Sequence, residues 1–534
     1  MTLSRMAWCA LLLIPSLFFG ACDGPATSAL SSELGPAASD LSTTVTGDGD
    51  SKPGPPGWIR AALVQPRGLI RNLPEASPGY VLFTQLTSDT AYLIDLDGQV
   101  VHTWATDLAA DAGYLLDDGS LIRQARIAEP ENFKAGGVSG YLQRVSWDGD
   151  VLWQWRMGDT ERILHHDLEI LPNGNILVIA WEQIDAADAR AAGRRADLIP
   201  EQGLWADWVL EVEPVPPDEA RIVWEWHVWD HLVQNHDPAA SNFGDPAAHP
   251  RRLDVNGDGE STLTDEEELE QLKALGYVPD DATPDDMKSD FLHMNALDYH
   301  PGLDQIALSV PEVGEIWIID HSTTTAEARS SSGGRSGHGG DLLYRWGNPG
   351  MYGRGGDADQ LLFYQHQVLW IPDDWLHGGN LTVFNNGGDR GWSSVMEIEP
   401  PLEDDGSYTL DPDQPWGPPT PRWTYVAPER ASFYAPFISG AHRLANGNTF
   451  ICSGPQGWFF EVTPGGEIVW EYRNPYHGGV PGWHPPGTKD VPYASFRATK
   501  IPPDHPALVG RDLRPLDPQP EPYRLPAPHS TGGP

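Results

Sequence analysis

The octapeptide DGDVLWQW at residues 148–155 carries the pattern that decides the fold, because five other segments align with it without gaps. Every copy ends in an aromatic residue. The six copies are DGQVVHTW (97–104), DGDVLWQW (148–155), EARIVWEW (219–226), GGDLLYRW (339–346), PPTPRWTY (418–425) and GGEIVWEY (465–472). An alternating strand precedes each copy, directly or after a longer connection, so each predicts the return strand of a β-hairpin.

A second hairpin recurs between these copies. It is clearest in LPNGNIL (171–177) and LANGNTF (444–450), with LDDGSLI (116–122) as a weaker copy. An Asn-Gly turn between apolar runs is a strong hairpin signal, and two hairpins make a four-stranded module. Six modules in a ring predict an all-β fold, a six-bladed β-propeller, with unrelated stacked hairpins as the alternative. Because the stretch 495–500 has no outer hairpin after it, we expect it to pair with the segment that begins at Tyr80.

The charge of the chain excludes two classes of partner. Its 534 residues include 76 Asp and Glu against 34 Lys and Arg, a net charge of −42. Such a chain repels nucleic acid and anionic membrane surfaces. The 22 Trp, 56 Gly and 50 Pro favour short strands joined by turns over helices.

The first 21 residues predict export. Arg5 precedes an apolar run at 7–19 and a small-residue end, as in a secretory signal peptide. The run is too short to span a bilayer. Because Cys22 follows Gly20 and Ala21, as in a bacterial lipobox, we expect a lipoprotein of the cell envelope, periplasmic or at the surface. It would meet the membrane only through the lipid at Cys22; plain secretion or an inner-membrane tether is the alternative.

The remaining chain divides by composition. Residues 22–57 are small, polar and rich in Pro and Gly, which predicts a flexible tether. Residues 58–511 form the predicted propeller, and residues 512–534 a Pro-rich tail. Cys452 lies in an apolar strand, where we expect a small buried side chain.

The segment DVNGDGESTLTD (254–265) has the spacing of a twelve-residue calcium loop. Acidic or amide residues occupy positions 1, 3 and 5, Gly occupies position 6, and a carboxylate occupies position 12. The predicted Ca²⁺ ligands are Asp254, Asn256, Asp258, Glu260 and Asp265. We expect a structural calcium loop with a following helix, inserted at 245–285; a merely acidic loop is the alternative.

Histidine occurs at the start of four predicted inner strands, where the central channel of a propeller meets several chain segments. These residues are His166, His293, His366 and His442. Arg390 lies in the Gly-rich segment NNGGDRGW (385–392) that follows another inner strand. Imidazolium and guanidinium groups stabilise charge on sulfuryl or phosphoryl oxygens, so the set favours an oxyanion substrate. We expect His166 and Asn295 to bind it.

These inner segments resemble the arylsulfotransferase family of bacterial six-bladed propellers over most of residues 80–500. The resemblance is carried by HHDLEILPNGNILV, DFLHMNALDYHPGLDQIALS, QHQVLWIP, VFNNGGDRG and SGAHRLANGNTFI. It implies transfer of a sulfuryl group from a phenolic sulfate ester to a phenolic acceptor through a sulfohistidine, without a nucleotide cofactor. By motif, it implies His293, His366 and Arg390 as catalytic residues and His442 as the nucleophile.

Two other functions remain open from the sequence. One is a non-catalytic propeller that binds a ligand or partner in its channel. The other is a calcium-dependent six-bladed hydrolase of the lactonase kind, which requires Glu, Asn and Asp side chains around a metal in the channel. Convergence of the four histidines and Arg390 in one pocket would favour the enzyme over the binding protein.

Overall fold

The computed structural model describes residues 62, 64–127, 132–257, 269–270, 273, 278, 281–478 and 492–523, all within the unit 52–534. The predicted signal peptide, Cys22 and the tether lie outside these residues. Where it is described, the chain is all-β, with 26 strands and only short helices. None of the described helices combines the length and the apolar character that crossing a membrane requires.

The elements are numbered in chain order. The strands are β1 (Gly68–Asn72), β2 (Tyr80–Thr84), β3 (Ser88–Ile94), β4 (Val100–Leu115), β5 (Leu121–Arg126), β6 (Gly140–Val145), β7 (Val151–Arg156), β8 (Arg162–Ile170), β9 (Ile176–Ile184), β10 (Leu204–Val215), β11 (Glu219–His227), β12 (Leu232–Val233), β13 (Leu253–Asp254), β14 (Ala296–His300), β15 (Gln305–Val310), β16 (Glu315–Asp320), β17 (Tyr344–Trp346), β18 (His366–Trp370), β19 (Leu381–Asn385), β20 (Ser394–Ile398), β21 (Trp423–Tyr425), β22 (Gly440–Arg443), β23 (Thr449–Ser453), β24 (Trp458–Val462), β25 (Ile468–Arg473) and β26 (Ala498–Ile501). The helices are α1 (Ala186–Ala191), α2 (Pro284–Ser289) and α3 (Thr325–Ala328).

Three sheets are antiparallel modules of four consecutive strands: β8 to β11, β14 to β17 and β18 to β21. A fourth sheet has the order β1-β25-β24-β23-β22, so β1 adds a fifth strand that the sequence pattern did not predict. The largest sheet has seven strands in the order β26-β2-β3-β4-β5-β6-β7. Its long strand β4 pairs with β3 through residues 100–110 and with β5 through residues 110–115.

The predicted pairing of the two chain ends is confirmed. Strand β26 lies antiparallel to β2, with Tyr80 opposite Ile501 and Phe83 opposite Ala498. The recurring inner hairpins are also confirmed: β8 pairs with β9 and β22 with β23. At the first of these turns Gly174 has a φ of +87°, a conformation that glycine adopts without steric cost.

Each predicted outer hairpin ends in a strand, and an aromatic ring near its end joins it to the next outer hairpin along the series. The six links are Trp153 Nε1–H to Glu219 O, Trp226 Nε1–H to Gly340 O, Trp346 Nε1–H to Pro418 O, Trp423 Nε1–H to Pro464 O, Trp470 Nε1–H to Leu96 O, and a hydrogen bond between His102 Nε2 and Trp147 O. Five of the links run from one sheet to its successor and return to the first, and the sixth, from His102 to Trp147, joins two parts of the seven-stranded sheet. The aromatic repeat therefore encodes contacts between sheets, where most of the core lies.

The single cysteine of the folded region behaves as predicted. Cys452 lies on β23 and is 1 % exposed among Phe450, Phe459 and Tyr472. Burial raises the pKa of its thiol well above the ordinary value. The side chain is therefore an unreactive part of the core.

Candidate active site

The starts of the inner strands share an unusual backbone. The φ angles are 55° at His166, 55° at His293, 49° at Gln367 and 90° at Ser439. A non-glycine residue in this region costs about 1–3 kcal/mol and is maintained only where its surroundings fix it. Four such residues at equivalent places point to a site at this end of the strands.

His366, the first residue of β18, is fully buried, and a fixed amide determines its tautomer. The Nδ2 group of Asn386 donates to the carbonyls of Ala435 and Ile438 at 2.7 and 2.8 Å, so its Oδ1 must face the imidazole. That oxygen lies 2.9 Å from His366 Nδ1, which therefore carries the proton. The other ring nitrogen, Nε2, has no hydrogen-bond partner among the described residues. Burial lowers the pKa of His366 to about 3, so Nε2 presents a lone pair at neutral pH.

His293 has the opposite electrostatic setting. Its Nδ1 lies 2.5 Å from Asp290 Oδ2, and both side chains are buried. Although burial opposes protonation, the Asp290 carboxylate raises the pKa of His293 above the ordinary value. The Tyr364 ring lies 6.5 Å from the His293 ring and 6.4 Å from the His366 ring. An imidazole that favours the charged form thus lies close to one that stays neutral, with the Tyr364 ring near both.

His166 joins this group through its ring, which lies 4.5 Å from that of His293. Its Nδ1 is 2.8 Å from His165 Nδ1, and His165 Nε2 is 3.1 Å from Asp207 Oδ1. Burial, together with the nearby His293, lowers the pKa of His166 well below its ordinary value. Gly137 makes room for the ring, since a Cβ there would lie 2.2 Å from His166 Nε2.

A buried ion pair that the motifs did not reveal lies next to the histidines. Arg497 is 4 % exposed and its Nη1 forms a very short contact with Asp167 Oδ2. The same guanidinium donates to the Tyr114 hydroxyl at 3.1 Å and to the Asn295 carbonyl at 2.8 Å. The Asn295 amide donates in turn to the Gln365 carbonyl. Asn295 therefore lies in the site, where its side-chain Oδ1 finds no described partner.

Arg390 lies on the turn that follows Asn386. Its Cζ is 4.6 Å from the centre of the Phe363 ring and 4.2 Å from that of Trp392. Nε and Nη2, which form one edge of the guanidinium, are buried and have no hydrogen-bond partner among the described residues. Burial, and after it the positive charge of Arg430, lowers the pKa of Arg390 to about 10, which leaves it charged at neutral pH. Two parallel donors on a cation suit an oxyanion.

His442 lies on β22 but is separate from this group. Its Nε2 accepts a hydrogen bond from the Lys500 backbone N–H at 3.2 Å, and its ring packs 5.3 Å from Phe450. Asp167 and Asp298 make the same kind of link, each accepting from a backbone N–H of the next inner strand. The structure thus brings His166, His293, His366 and Asn295 together and holds His442 between β22 and β26.

Only part of the predicted calcium loop can be located. Asp254 ends β13, which pairs in parallel with β12. The Asn256 side chain accepts from Arg195 N–H and donates to the Gly193 carbonyl. The other predicted ligands lie outside the described residues, and they are Asp258, Glu260 and Asp265. In the described parts of the chain no three His, Cys, Asp or Glu side chains gather as metal ligands would.

Sequence reasoning located the three clustered histidines but missed the groups that set their chemistry. These groups are Asp290, Asn386, His165, Asp207 and Arg497. A local signal existed for Asp290, which precedes His293 by three residues. Another existed for Asn386, which stands in the Asn-Asn-Gly-Gly turn before Arg390. Arg497 and Asp207 carry no such signal.

Several solved structures are similar to the chain at low identity. A protein of unknown function from Bacteroides caccae is 12 % identical, with 74 % of this chain and 93 % of that one covered and a TM-score of 0.38. A virginiamycin B lyase from Staphylococcus aureus is 11 % identical, with 77 % and 85 % covered and a TM-score of 0.32. A putative 6-phosphogluconolactonase from Bacteroides fragilis is 9 % identical, with 80 % and 99 % covered and a TM-score of 0.35. Comparison with curated proteins gives no match.

The family model described as Arylsulfotransferase (ASST) matches residues 74–474. That range contains strands β2 to β25, and it includes all of the catalytic residues predicted from the sequence, His293, His366, Arg390 and His442. The match supports aryl sulfotransferase activity in general and a small phenolic substrate. The chain belongs to the arylsulfotransferase (ASST) family.

Proposed function

We propose that the protein moves a sulfuryl group from a phenolic sulfate ester to a phenolic acceptor through a sulfohistidine, without a nucleotide cofactor. The observation that carries the proposal is that two buried imidazoles with opposite pKa shifts, His366 lowered and His293 raised, lie on either side of the Tyr364 ring. Separated pKa values of this kind assign a nucleophile or base and an acid. A half-buried cation, Arg390, whose Nε and Nη2 have no described partner, fits the sulfuryl oxygens.

We place the nucleophile on His366. Its Nε2 lone pair is unpartnered because Asn386 keeps the proton on Nδ1. The Nε2 lone pair of His442, the nucleophile implied by the motif, instead accepts the Lys500 N–H. Attack by His442 would break that link between neighbouring strands, whereas attack by His366 breaks no hydrogen bond to a described residue.

The reaction then balances in two steps. In the first, His366 Nε2 bonds to sulfur, the bond from sulfur to the phenolic oxygen breaks, and His293 gives its proton to that oxygen. In the second, the acceptor phenol gives a proton to His293 while its oxygen takes the sulfuryl group and frees His366. Charge in both steps collects on the sulfuryl oxygens, which Arg390 would hold by its Nε–H and Nη2–H edge.

We infer that the sheets form a six-bladed β-propeller. The seven-stranded sheet divides at β4 into two modules of four strands, with β26 to β4 in one and β4 to β7 in the other. With the other four sheets this gives six blades. The closed series of six aromatic links between outer hairpins supports the ring, because each link joins one module to the next.

We further propose an exported, lipid-anchored protein of the cell envelope with a structural Ca²⁺ in the 245–285 insertion. The signal-like residues 1–21 and Cys22 support the first part, and the spacing of residues 254–265 supports the second. The Asn256 amide is already engaged with Gly193 and Arg195. Calcium would therefore brace the insertion against the loop after α1.

The test is a burst experiment with 4-nitrophenyl sulfate and no acceptor. Wild type should release one nitrophenol per site and gain about 80 Da, the mass of a sulfuryl group, on the peptide that contains His366. His366→Ala should abolish the adduct, while His442→Ala should keep it. His293→Ala and Arg390→Ala should slow its formation by roughly 10²- to 10³-fold, the usual cost of one stabilising donor.

Two results would change the assignment. An adduct that maps to His442 would return the nucleophile to the residue implied by the motif. If wild type forms no adduct and releases no phenol from any aryl sulfate, the non-catalytic binding propeller becomes the better explanation.

A further inference from the structure

Two loops at the rim of the site are joined into one unit. The segment 386–393 carries Arg390, and the segment 430–438 begins with Arg430. Asn386 donates to two carbonyls of the second segment, at Ala435 and Ile438. The Tyr434 hydroxyl donates back to the Gly388 carbonyl at 2.7 Å. Side chains on both loops are therefore held in a fixed relation to the amide that orients His366.

Trp392 on this unit contacts two guanidinium groups. The Cζ of Arg390 is 4.2 Å and that of Arg430 is 4.5 Å from the centre of the Trp392 ring. Arg430 is exposed, whereas Arg390 is half-buried. Among the described carboxylates, none forms an ion pair with either arginine. Another exposed arginine, Arg221, is by contrast paired with Glu213 at 2.6 Å.

Two positive charges held close together repel each other, and a bound anion would relieve that repulsion. The net charge of −42 makes the rest of the protein repel anionic substrates, and a substrate with two negative charges is repelled most. A local pair of cations makes the potential beside Trp392 more positive than elsewhere on the protein. Arg390 would bind the sulfuryl oxygens of the substrate. Arg430 is then available to bind a second anionic group on the same molecule.

We propose that Arg430 is a specificity residue that selects aryl sulfates with a second anionic group, such as a carboxylate, on the aromatic ring. The inference rests on the proposed function. Arg390 holds the sulfuryl end, and Arg430 meets the second anion at the rim while Trp392 keeps the two cations together. The natural donor class is thus a dianionic phenolic sulfate rather than a simple phenyl sulfate.

The test compares kcat/KM for 4-sulfooxybenzoate and 4-nitrophenyl sulfate in wild type, Arg430→Gln and Arg430→Lys. The ratio of the two values should fall roughly 5- to 10-fold in Arg430→Gln, the scale of one partly solvated charge pair. It should be largely retained in Arg430→Lys and should decline with added salt. Arg221→Gln, an exposed arginine remote from the rim loops in sequence, is the matched control and should keep the wild-type ratio.

A binding measurement separates this inference from the proposed function. Benzenesulfonate and 4-sulfobenzoate cannot transfer a sulfuryl group, so calorimetry with them does not depend on turnover. The inference is supported if wild type binds 4-sulfobenzoate more tightly than benzenesulfonate and Arg430→Gln binds both equally. This result would count even if no aryl sulfate is turned over. If turnover occurs but Arg430→Gln leaves the ratio and the binding difference unchanged, the inference is wrong while the proposed function stands.

Discussion

Replacing His366 by Gln should make the protein less sensitive to acid. Burial lowers the pKa of this imidazole from its ordinary 6.5 to about 3. The positive charges of His293 and Arg497 also lower the pKa, while the hydrogen bond to Asn386 raises it. The native protein therefore keeps His366 neutral, whereas the unfolded chain protonates it below pH 6.5. Unfolding then takes up a proton, and the stability that depends on His366 is present above pH 6.5 and is lost as pH falls towards 3.

The size of the effect follows from the two pKa values. At pH 5 the unfolded imidazole is 1.5 pH units below its ordinary pKa of 6.5, while the native one is still neutral. At 1.36 kcal/mol for each unit, His366 destabilises the fold by about 2 kcal/mol at pH 5 relative to pH 8. The loss of unfolding free energy between pH 8 and pH 5 should be smaller by about that amount in His366→Gln.

Urea unfolding at pH 8, 7, 6 and 5 gives the unfolding free energy of each protein. The free energy at each pH is compared with that of the same protein at pH 8, so a change in stability that is equal at every pH cancels. His321→Gln provides a control of opposite sign. Burial opposes protonation there, but hydrogen bonds to Glu211 and Asp304 raise the pKa of His321. The stabilisation that His321 contributes is present below pH 6.5 and disappears as pH rises through its folded pKa. His321→Gln should therefore increase the loss of unfolding free energy between pH 8 and pH 5.

An unchanged pH dependence in His366→Gln would refute the reasoning. It would mean that His366 carries a proton in the native protein at pH 5, in which case Nε2 offers no lone pair there. The assignment of His366 as a neutral nucleophile would then fail, whatever the activity of the variant.

Three further changes test the surroundings of the site and the insertion. Gly137→Ala places a Cβ 2.2 Å from an imidazole nitrogen at a φ of +75°, and urea unfolding should show a loss of about 2–4 kcal/mol. Arg497→Met leaves Asp167 buried without its cation and should cost about 3–5 kcal/mol, part of which a second change, Asp167→Asn, should restore. Chelation of calcium should lower the melting temperature and speed proteolysis within 245–285, and Asp254→Ala should have the same effect; calorimetry without calcium uptake would favour the acidic loop.

The strand pattern was predictable from the sequence because the aromatic repeat reflects a contact made in each module. The ring that links one sheet to the next lies at the sixth position of the octapeptide in Trp153, Trp423 and Trp470, and at the eighth in Trp226 and Trp346. Both positions point to the same face of an alternating strand. The added strand β1 was not predictable, since it carries no repeat and pairs with β25 almost 400 residues later.

The site was predictable only in part, because a motif locates a strand but not the partners of its side chains. His293 and His366 were found from their places before inner strands. The carboxylate of Asp167 meets its cation 330 residues away, a contact that no local spacing records. The turn near His442 predicted β22 correctly. The alternation of side chains along β22, however, directs His442 to the backbone of β26 rather than towards the other histidines.

In the proposed reaction, the direction of transfer depends on the two phenols rather than on the protein. His293 must protonate the departing phenolate and then accept the proton of the incoming phenol, and the same Asp290 carboxylate stabilises its charged form at both stages. His366 returns to the same neutral tautomer because Asn386 does not change partners. A more acidic phenol leaves with less help from His293, so esters of acidic phenols should be the better donors and less acidic phenols the better acceptors.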